Sequence, residues 1–563
     1  MIAHVLTPGA HPLSDAPMSA RRAMLLALLL PLVAAGNPAP APGSDAGLLP
    51  PDAELEAAGA RIGNITIVSR QIFDLDDPRE NHALFRLANR LHMRTRPGVI
   101  RSQLLFHEGD PYRRQALEET ERNLRRMEYL REPHIRPVRY HDGVVDIEVV
   151  TQDVWTLQLG PSYGRSGGTD HSSFEIQDNN LFGFGKTLAL GAGRDVDRTS
   201  SYLEWRDANV LGSHWRDSLR WTESSDGYLR GGALWRPFYA LTTRWAGGLE
   251  VDASHWLDSR YRLGKRYDRY DSQVRFADAH LGYSPGLDGH VTRRYSLGLR
   301  VEESRFAPDP GGTTLGPLPA DRRLRYPYLR FELITDAFRK ASNHDQIART
   351  EDQQFGFNAS LLAGWASRGL GADRDAVLLD TTLGYGWSLG DDHDLFVALG
   401  GRSRLEGGNA RDTRWHAESR WYWTTSPHTL LHVHAAHDAG QRLDLDHYFE
   451  LGGDNGLRGF PLRYQLGTRR TMLKIEERLY TEWSLLRLLD IGGAAFFDFG
   501  RVDGANPIGA PRLGWLKDVG VGLRLGNSRS SLGNVIHIDL AAPLGAARDI
   551  SRLQFLVGTE ATF

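Results

Sequence analysis

Arg458 is the residue most open to a chemical reading. It stands in LGGDNGLRGF, residues 451–460, between glycine-rich turns and ahead of an aromatic. A guanidinium keeps its charge and offers a planar fork that takes a carboxylate through two hydrogen bonds. The chemistry on offer is therefore carboxylate binding. Gly452, Gly453 and Gly456 mark sharp bends of the backbone. The surrounding stretch, 439–469, reads as one long loop. Loops beyond about 12–15 residues are uncommon unless they are functional or disordered.

Other candidate chemistry is weaker. HVHAAH places His432 and His434 on one strand face, a conceivable metal pair. Without a third ligand at set spacing it reads better as polar lining. GFGKT and LGAGRD are glycine-rich but lack the strand–loop–helix context of a phosphate cradle. No G-x-S-x-G elbow occurs. No catalytic residue, metal site or cofactor is expected, and the chain does not read as an enzyme.

The elements that must position Arg458 are strands. From Asp153 to Phe563, segments of about ten residues alternate apolar and polar between Gly, Asp, Asn or Ser turns, the signature of a transmembrane barrel. In NVIHIDLAAP, Ile536, Ile538 and Leu540 share one face and His537 and Asp539 the other. In DVGVGLRL, Val519, Val521, Leu523 and Leu525 oppose Asp518, Gly520, Gly522 and Arg524. In the terminal segment, Phe555, Val557 and Phe563 line one side with Leu553 and Ala561. A soluble sandwich also alternates, but needs fewer strands in series. The segment count is near twenty, five of them after the long loop. Short turns such as NLFGFG (180–185) and NVLGSHW (209–215) are expected at one barrel end and longer loops at the other.

Strand parity then selects partners for Arg458. In RTMLKIEERLY, Leu473, Ile475 and Leu479 form a lipid face, leaving Arg470, Met472, Lys474, Glu476 and Arg478 toward the lumen. In the next strand Asp498 opposes Phe497 and Phe499, so it also points inward. A hairpin turning near residue 486 puts Glu476 opposite Phe496 and makes Asp498 its diagonal neighbour, roughly 7–8 Å away. One guanidinium can bond both. The competing arrangement is a Lys474–Asp498 cross-strand pair with Arg458 solvated on an outer loop.

Residues 61–152 read as a small α+β domain in the order β-α-α-β-β. RIGNITIVS is a strand, and Leu84, Leu87, Ala88 and Leu91 fall at helical spacing. Asp110-Pro111 looks like a helix start. The following helix carries Leu117, Leu124, Met127 and Leu130 on one stripe, with Glu118/Arg122 and Glu121/Arg125 on an exposed face. HDG joins two closing strands as a hairpin. Residues 1–36 read as a signal peptide counted from Met18, with Arg21 and Arg22 before a short apolar run. A membrane anchor is the alternative. Residues 37–60 are a Pro/Ala-rich linker.

Composition agrees with an exported β-rich chain. Among 563 residues there are 60 glycines, 14 tryptophans, 19 tyrosines and 21 phenylalanines, and only 41% are hydrophobic. The absence of cysteine excludes disulfides and thiolate sites. Lys+Arg total 67 against 70 Asp+Glu, which is no nucleic-acid footprint.

In this order, Leu457-Arg458-Gly459-Phe460, NLFGFG, AFFDFGRV (495–502), the last-strand pattern and the preceding α+β domain resemble the BamA/TamA superfamily, the outer-membrane-protein-85 family. The resemblance spans most of 61–563. It implies a sixteen-stranded outer-membrane barrel and a POTRA-like domain in the periplasm. It also implies a loop folded back into the barrel, whose arginine is held by an aspartate and a glutamate of the following wall strands. The implied function is assembly of outer-membrane proteins or translocation of a polypeptide. The implied partners are the outer-membrane bilayer, an unfolded outer-membrane or secreted client, and a periplasmic partner protein. A dedicated two-partner-secretion transporter and a structural porin-like barrel are the alternatives. A single POTRA-like domain points to an accessory or specialised member.

Overall fold

The computed structural model describes residues 49–531, 535–547 and 550–560. The signal-peptide stretch, most of the linker, Ala561 and Phe563 lie outside the described residues.

The N-terminal domain holds α1 (Asp52–Ala57), β1 (Arg61–Arg70), α2 (Ala83–Leu91), α3 (Pro97–Arg101), α4 (Arg114–Arg125), β2 (Leu130–His141) and β3 (Val144–Asp153). Its sheet runs β1-β3-β2, with β1 parallel and β2 antiparallel to β3. The β2–β3 turn places Asp142 and Gly143 at φ 50° and 77°, as a two-residue hairpin requires. Leu117 and Leu124 of α4 pack on Ile62, Ile65, Val145, Ile147 and Val149, with Leu55 of α1 closing the core.

Several local expectations are corrected. The folded unit starts before residue 61, because Leu55 and Ala60 are buried in the domain core. α4 begins at Arg114, not at Pro111: Pro111 instead bridges Arg61, and the Asp110 carboxylate accepts from His107 N at 2.7 Å. Three helices rather than two separate β1 from β2. α2 turns Phe85 and Asn89 inward and leaves Leu84, Leu87 and Leu91 about half exposed or more.

The remaining chain closes on itself. Twenty antiparallel strands, from Leu157–Ser166 to Gln554–Glu560, form one barrel, and the last strand pairs with the first through Val557 and Arg165. The number is that of the segment count, not the sixteen of the resemblance. Outward side chains are apolar and exposed, among them Leu249, Leu281, Leu297, Leu299, Leu329 and Val521. Inward ones are polar and buried, among them Asp278, Arg300, Arg478 and Asp498. A lipid-facing exterior around a charged interior follows from the period-2 alternation of each strand. No described helix is long and apolar enough to cross a membrane; the strands form the wall.

Since β3 runs directly into the first barrel strand, the N-terminal domain marks one end of the cylinder, here the near end. The connection between the fifteenth strand (Thr429–Gln441) and the sixteenth (Arg469–Leu485) lies at the far end and carries Arg458. The expected division into short near turns and long far loops holds only in part: 180–185 and 211–214 are short near-end turns and the far end carries the loops 309–321 and 504–515, but there are exceptions at both ends. The far end has two-residue turns at 167–168, 225–226, 263–264 and 407–408. The near end carries a long excursion between the tenth strand (Arg322–Thr335) and the eleventh (Gly356–Ala366), which forms its own hairpin, Phe338–Ser342 with Thr350–Gln354.

Candidate functional site

The site forms where the far-end loop meets the inner wall. A short pairing, Phe449–Leu451 with Gln465–Gly467, ties the base of the loop together. Its tip is held by an apolar knot: Leu457 and Phe460 are fully buried with Leu451, Tyr464, Met472 and Val502. The glycines do different work there. Gly456 takes φ 145°, whereas Gly452 and Gly453 are needed because backbone passes too close for a Cβ. A Cβ on Gly453 would lie 2.5 Å from Gly167 Cα, in the turn after the first barrel strand. A Cβ on Gly459 would lie 2.6 Å from Asp518 Cβ and 3.1 Å from Pro543 N.

That approach delivers Arg458 to the wall. The sixteenth strand pairs with the seventeenth (Leu489–Asp503) so that Glu476 opposes Phe496 and Lys474 opposes Asp498. Arg458 Nε and Nη2 donate to the two oxygens of Asp498 at 2.8 and 2.9 Å, and Nη1 donates to Glu476 Oε2 at 2.8 Å. The guanidinium lies flat on Phe496, Cζ 3.3 Å from the ring centroid. Arg458 N also points at Asp498 Oδ2, at 3.4 Å. Both oxygens of Asp498 are thus taken by the loop rather than by Lys474.

Three further charged groups bond into the cluster. Asp539 of the nineteenth strand (Val535–Pro543) lies 3.5 Å from Arg458 Nη1. Arg524 of the eighteenth strand (Leu516–Gly526) bonds Asp539 and reaches Glu476 Oε2 at 3.3 Å. Arg478 donates to Glu476 Oε1 at 3.2 Å and to His432 Nδ1 at 2.8 Å. Asp539 and Arg524 were on inward faces by parity; what sequence lacks is the register that carries them to Arg458.

Arg478 leads to the near end. Its third contact is the backbone oxygen of His344, at the tip of the near-end hairpin. Tyr422 donates to Asp345 at 2.9 Å and Tyr480 to the Asn343 oxygen. Ile347 is buried against Phe355, Phe396, Tyr422 and Leu430 inside the wall. The stem of this hairpin is gripped by α4: Arg125 bonds Asp352 with two donors at 2.8 and 2.9 Å, and Lys340 bonds Glu121. The Glu121/Arg125 face expected in solvent is therefore buried against the barrel. Burial pushes the Glu121 carboxyl up, but Lys340 and Arg125 outweigh it and hold it below its ordinary value.

The lumen is thus entered from both ends, and the two insertions are linked through the wall: Arg458 of the far-end loop bonds Glu476 Oε2, while Arg478, which holds the near-end hairpin, bonds Glu476 Oε1. Beside the loop lies a polar chamber of about 310 Å³ lined by Arg260, Glu302, Arg322, Arg402, Asp446 and other charged groups.

The other sequence candidates fall elsewhere. His432 faces Arg478, which repels a cation, and His434 Nε2 sits 3.6 Å from Glu418. Among the described residues one further trio, Asp412, Asp444 and His447, lies close together, but Arg404 and Arg414 already occupy its carboxylates. Phe555 is exposed outward, while Val557 is covered at the closing seam.

No family model matches the chain, and no curated protein matches it. Among solved structures it is similar to BamA from Haemophilus ducreyi lacking POTRA domains 1–3, at 14% identity over 88% of this chain and 84% of that one, TM-score 0.36. It is similar to CdiB from Acinetobacter baumannii, at 14% identity over 89% and 73%, TM-score 0.42. It is similar to CdiB from Escherichia coli, at 13% identity over 88% and 76%, TM-score 0.45. The fold described above rests on the strand pairing itself.

Proposed function

We propose that this chain is an outer-membrane barrel that inserts or translocates polypeptides, with its N-terminal domain in the periplasm as the client-receiving module. The observation that carries the reading is Arg458, brought into the lumen by a far-end loop and held by Asp498, Glu476 and Asp539. The same loop packs on Gly167, in the turn after the first strand, and on Asp518 and Pro543, in the eighteenth and nineteenth strands, so it spans the wall on either side of the closing seam. It braces the cylinder where its first and last strands meet. Leu457-Arg458-Gly459-Phe460 is the tetrad that relates the chain to the BamA/TamA superfamily. Clients are unfolded outer-membrane or secreted polypeptides, taken up by strand addition to the edge of the three-stranded sheet.

A deletion strain compared by outer-membrane proteome and by secretome tests this. Loss of many barrels supports an insertion factor, and loss of one secreted protein supports a dedicated transporter. An unchanged pair of proteomes would leave a structural barrel and remove the proposal.

A further inference from the structure

Between β1 and α3 the chain makes a detour, residues 71–96, with a core of its own: Ile72, Phe73 and Phe85, backed by Ala88 and by Trp155 and Leu488 of the barrel base. The detour is fastened at the near rim in three places. Arg529 bonds the Ile72 oxygen at 2.9 Å and Glu80 at 2.7 Å. His92 Nε2 lies 2.8 Å from Asp153, both side chains buried. Arg96 N donates to the Gly183 oxygen at 3.1 Å, and Asn180 reaches Thr95 at 2.9 Å. These anchors place α2 beneath the rim from the turn after the sixteenth strand to the turn after the second.

On this docked helix one apolar face stays half exposed or more. Leu84, Leu87 and Leu91 follow helical spacing and are 53%, 50% and 63% exposed, and Met93 continues the patch at 54%. Arg90, three residues after Leu87, flanks the leucines at the border of this face, and Arg86, on the same flank, bonds Asn81. The rim turns that hold the detour are themselves apolar and exposed, at Phe182, Phe184, Leu485 and Leu486. Aromatic side chains ring the same end of the cylinder: Trp245, Tyr283, Trp387, Trp423 and Trp483 all face outward. Such belts sit at the level of the lipid headgroups. The leucine face thus lies at the end of the cylinder where this belt marks the edge of the bilayer. An amphipathic helix with an apolar face and flanking arginines lies in the interface plane.

We propose that α2 is an interfacial anchor, its leucine face set into the phospholipid leaflet next to the barrel and Arg86 and Arg90 directed to the phosphates. The inference rests on the membrane-barrel reading. It adds a second membrane contact that fixes the N-terminal domain against the rim beneath the closing seam.

The chain has no cysteine, so single labels are clean. The full chain bearing Leu87→Cys, labelled with an environment-sensitive fluorophore, is reconstituted in phosphatidylethanolamine/phosphatidylglycerol vesicles. Leu299→Cys on the outer wall serves as the control. The expected result at Leu87 is a blue-shifted emission, quenched by acyl-chain spin-labelled lipid and indifferent to iodide. Iodide quenching at Leu87 with lipid quenching at Leu299 would overturn the anchor and leave the barrel standing. Loss of lipid quenching at Leu299 would remove the membrane reading and the anchor with it. In detergent, shielding of Leu87 by an added unfolded β-barrel polypeptide, without lipid quenching in vesicles, would assign the face to clients and overturn the anchor.

Discussion

Arg458 is held by groups that cannot stay comfortable without it. Removing one partner of a buried charge cluster costs about 3–5 kcal/mol, because the other charges lose their compensation. Arg458→Ala is expected to unseat the loop while the barrel remains folded. Proteolysis of the loop at the far face in intact cells, against unchanged abundance, measures this. Arg458→Lys is expected to restore little, since an ammonium cannot fork onto both oxygens of Asp498 and lie flat on Phe496 at once. Gly459→Ala is a subtler test. Its Cβ would collide with Asp518 Cβ and the Pro543 backbone, so the tip must retreat although every charge is retained. The expected outcome is the Arg458→Ala phenotype in the same protease assay.

At the scale of elements, the near-end hairpin and α4 act as one latch. Asp352→Asn breaks the two-donor contact with Arg125 and is expected to loosen the stem. Single-channel recordings in planar bilayers should show longer or more frequent openings than in the parent. Acid should act on the same latch. A carboxyl whose pKa is depressed on docking contributes stability that is whole above the free glutamate value, about 4.3, and lost as pH falls through the docked value. Glu121 is such a group, so openings should increase below about pH 4.3. Glu119 of the same helix is pushed up by burial and opposes the trend. Glu121→Gln should therefore remove the acid-induced increase.

These elements were unevenly legible. Period-2 alternation sorts inward from outward residues without any knowledge of register, which is why Glu476, Asp498, Asp539 and Arg524 could be assigned to the lumen face. Which of them meet depends on hairpin register across four strands, information that no single strand contains. The near-end hairpin was invisible for a related reason: FRKASNHDQIARTEDQ is as polar as any solvent loop. Its burial comes only from the barrel that encloses it. The leucines of α2 misled in the opposite direction. Helical spacing was correct, but a stripe reports a preference for apolar surroundings and not which surroundings supply them.

For the whole molecule, the shared carboxylate has an electrical consequence. Arg458, Arg478 and Arg524 face Glu476, Asp498 and Asp539, with Asp518 opposite Asp498, so the cations offset most of the acidic groups at this level of the cylinder. Withdrawal of the far-end loop takes one cation away and leaves the constriction acidic. Retraction of the near-end hairpin takes a backbone oxygen and the nearby Asp345 carboxylate away from Arg478 and leaves all three guanidiniums in place. The two ways of opening should then differ in which ions pass. Reversal potentials in a salt gradient should favour potassium over chloride in Arg458→Ala but not in Asp352→Asn, so current alone can tell which end of the passage has given way.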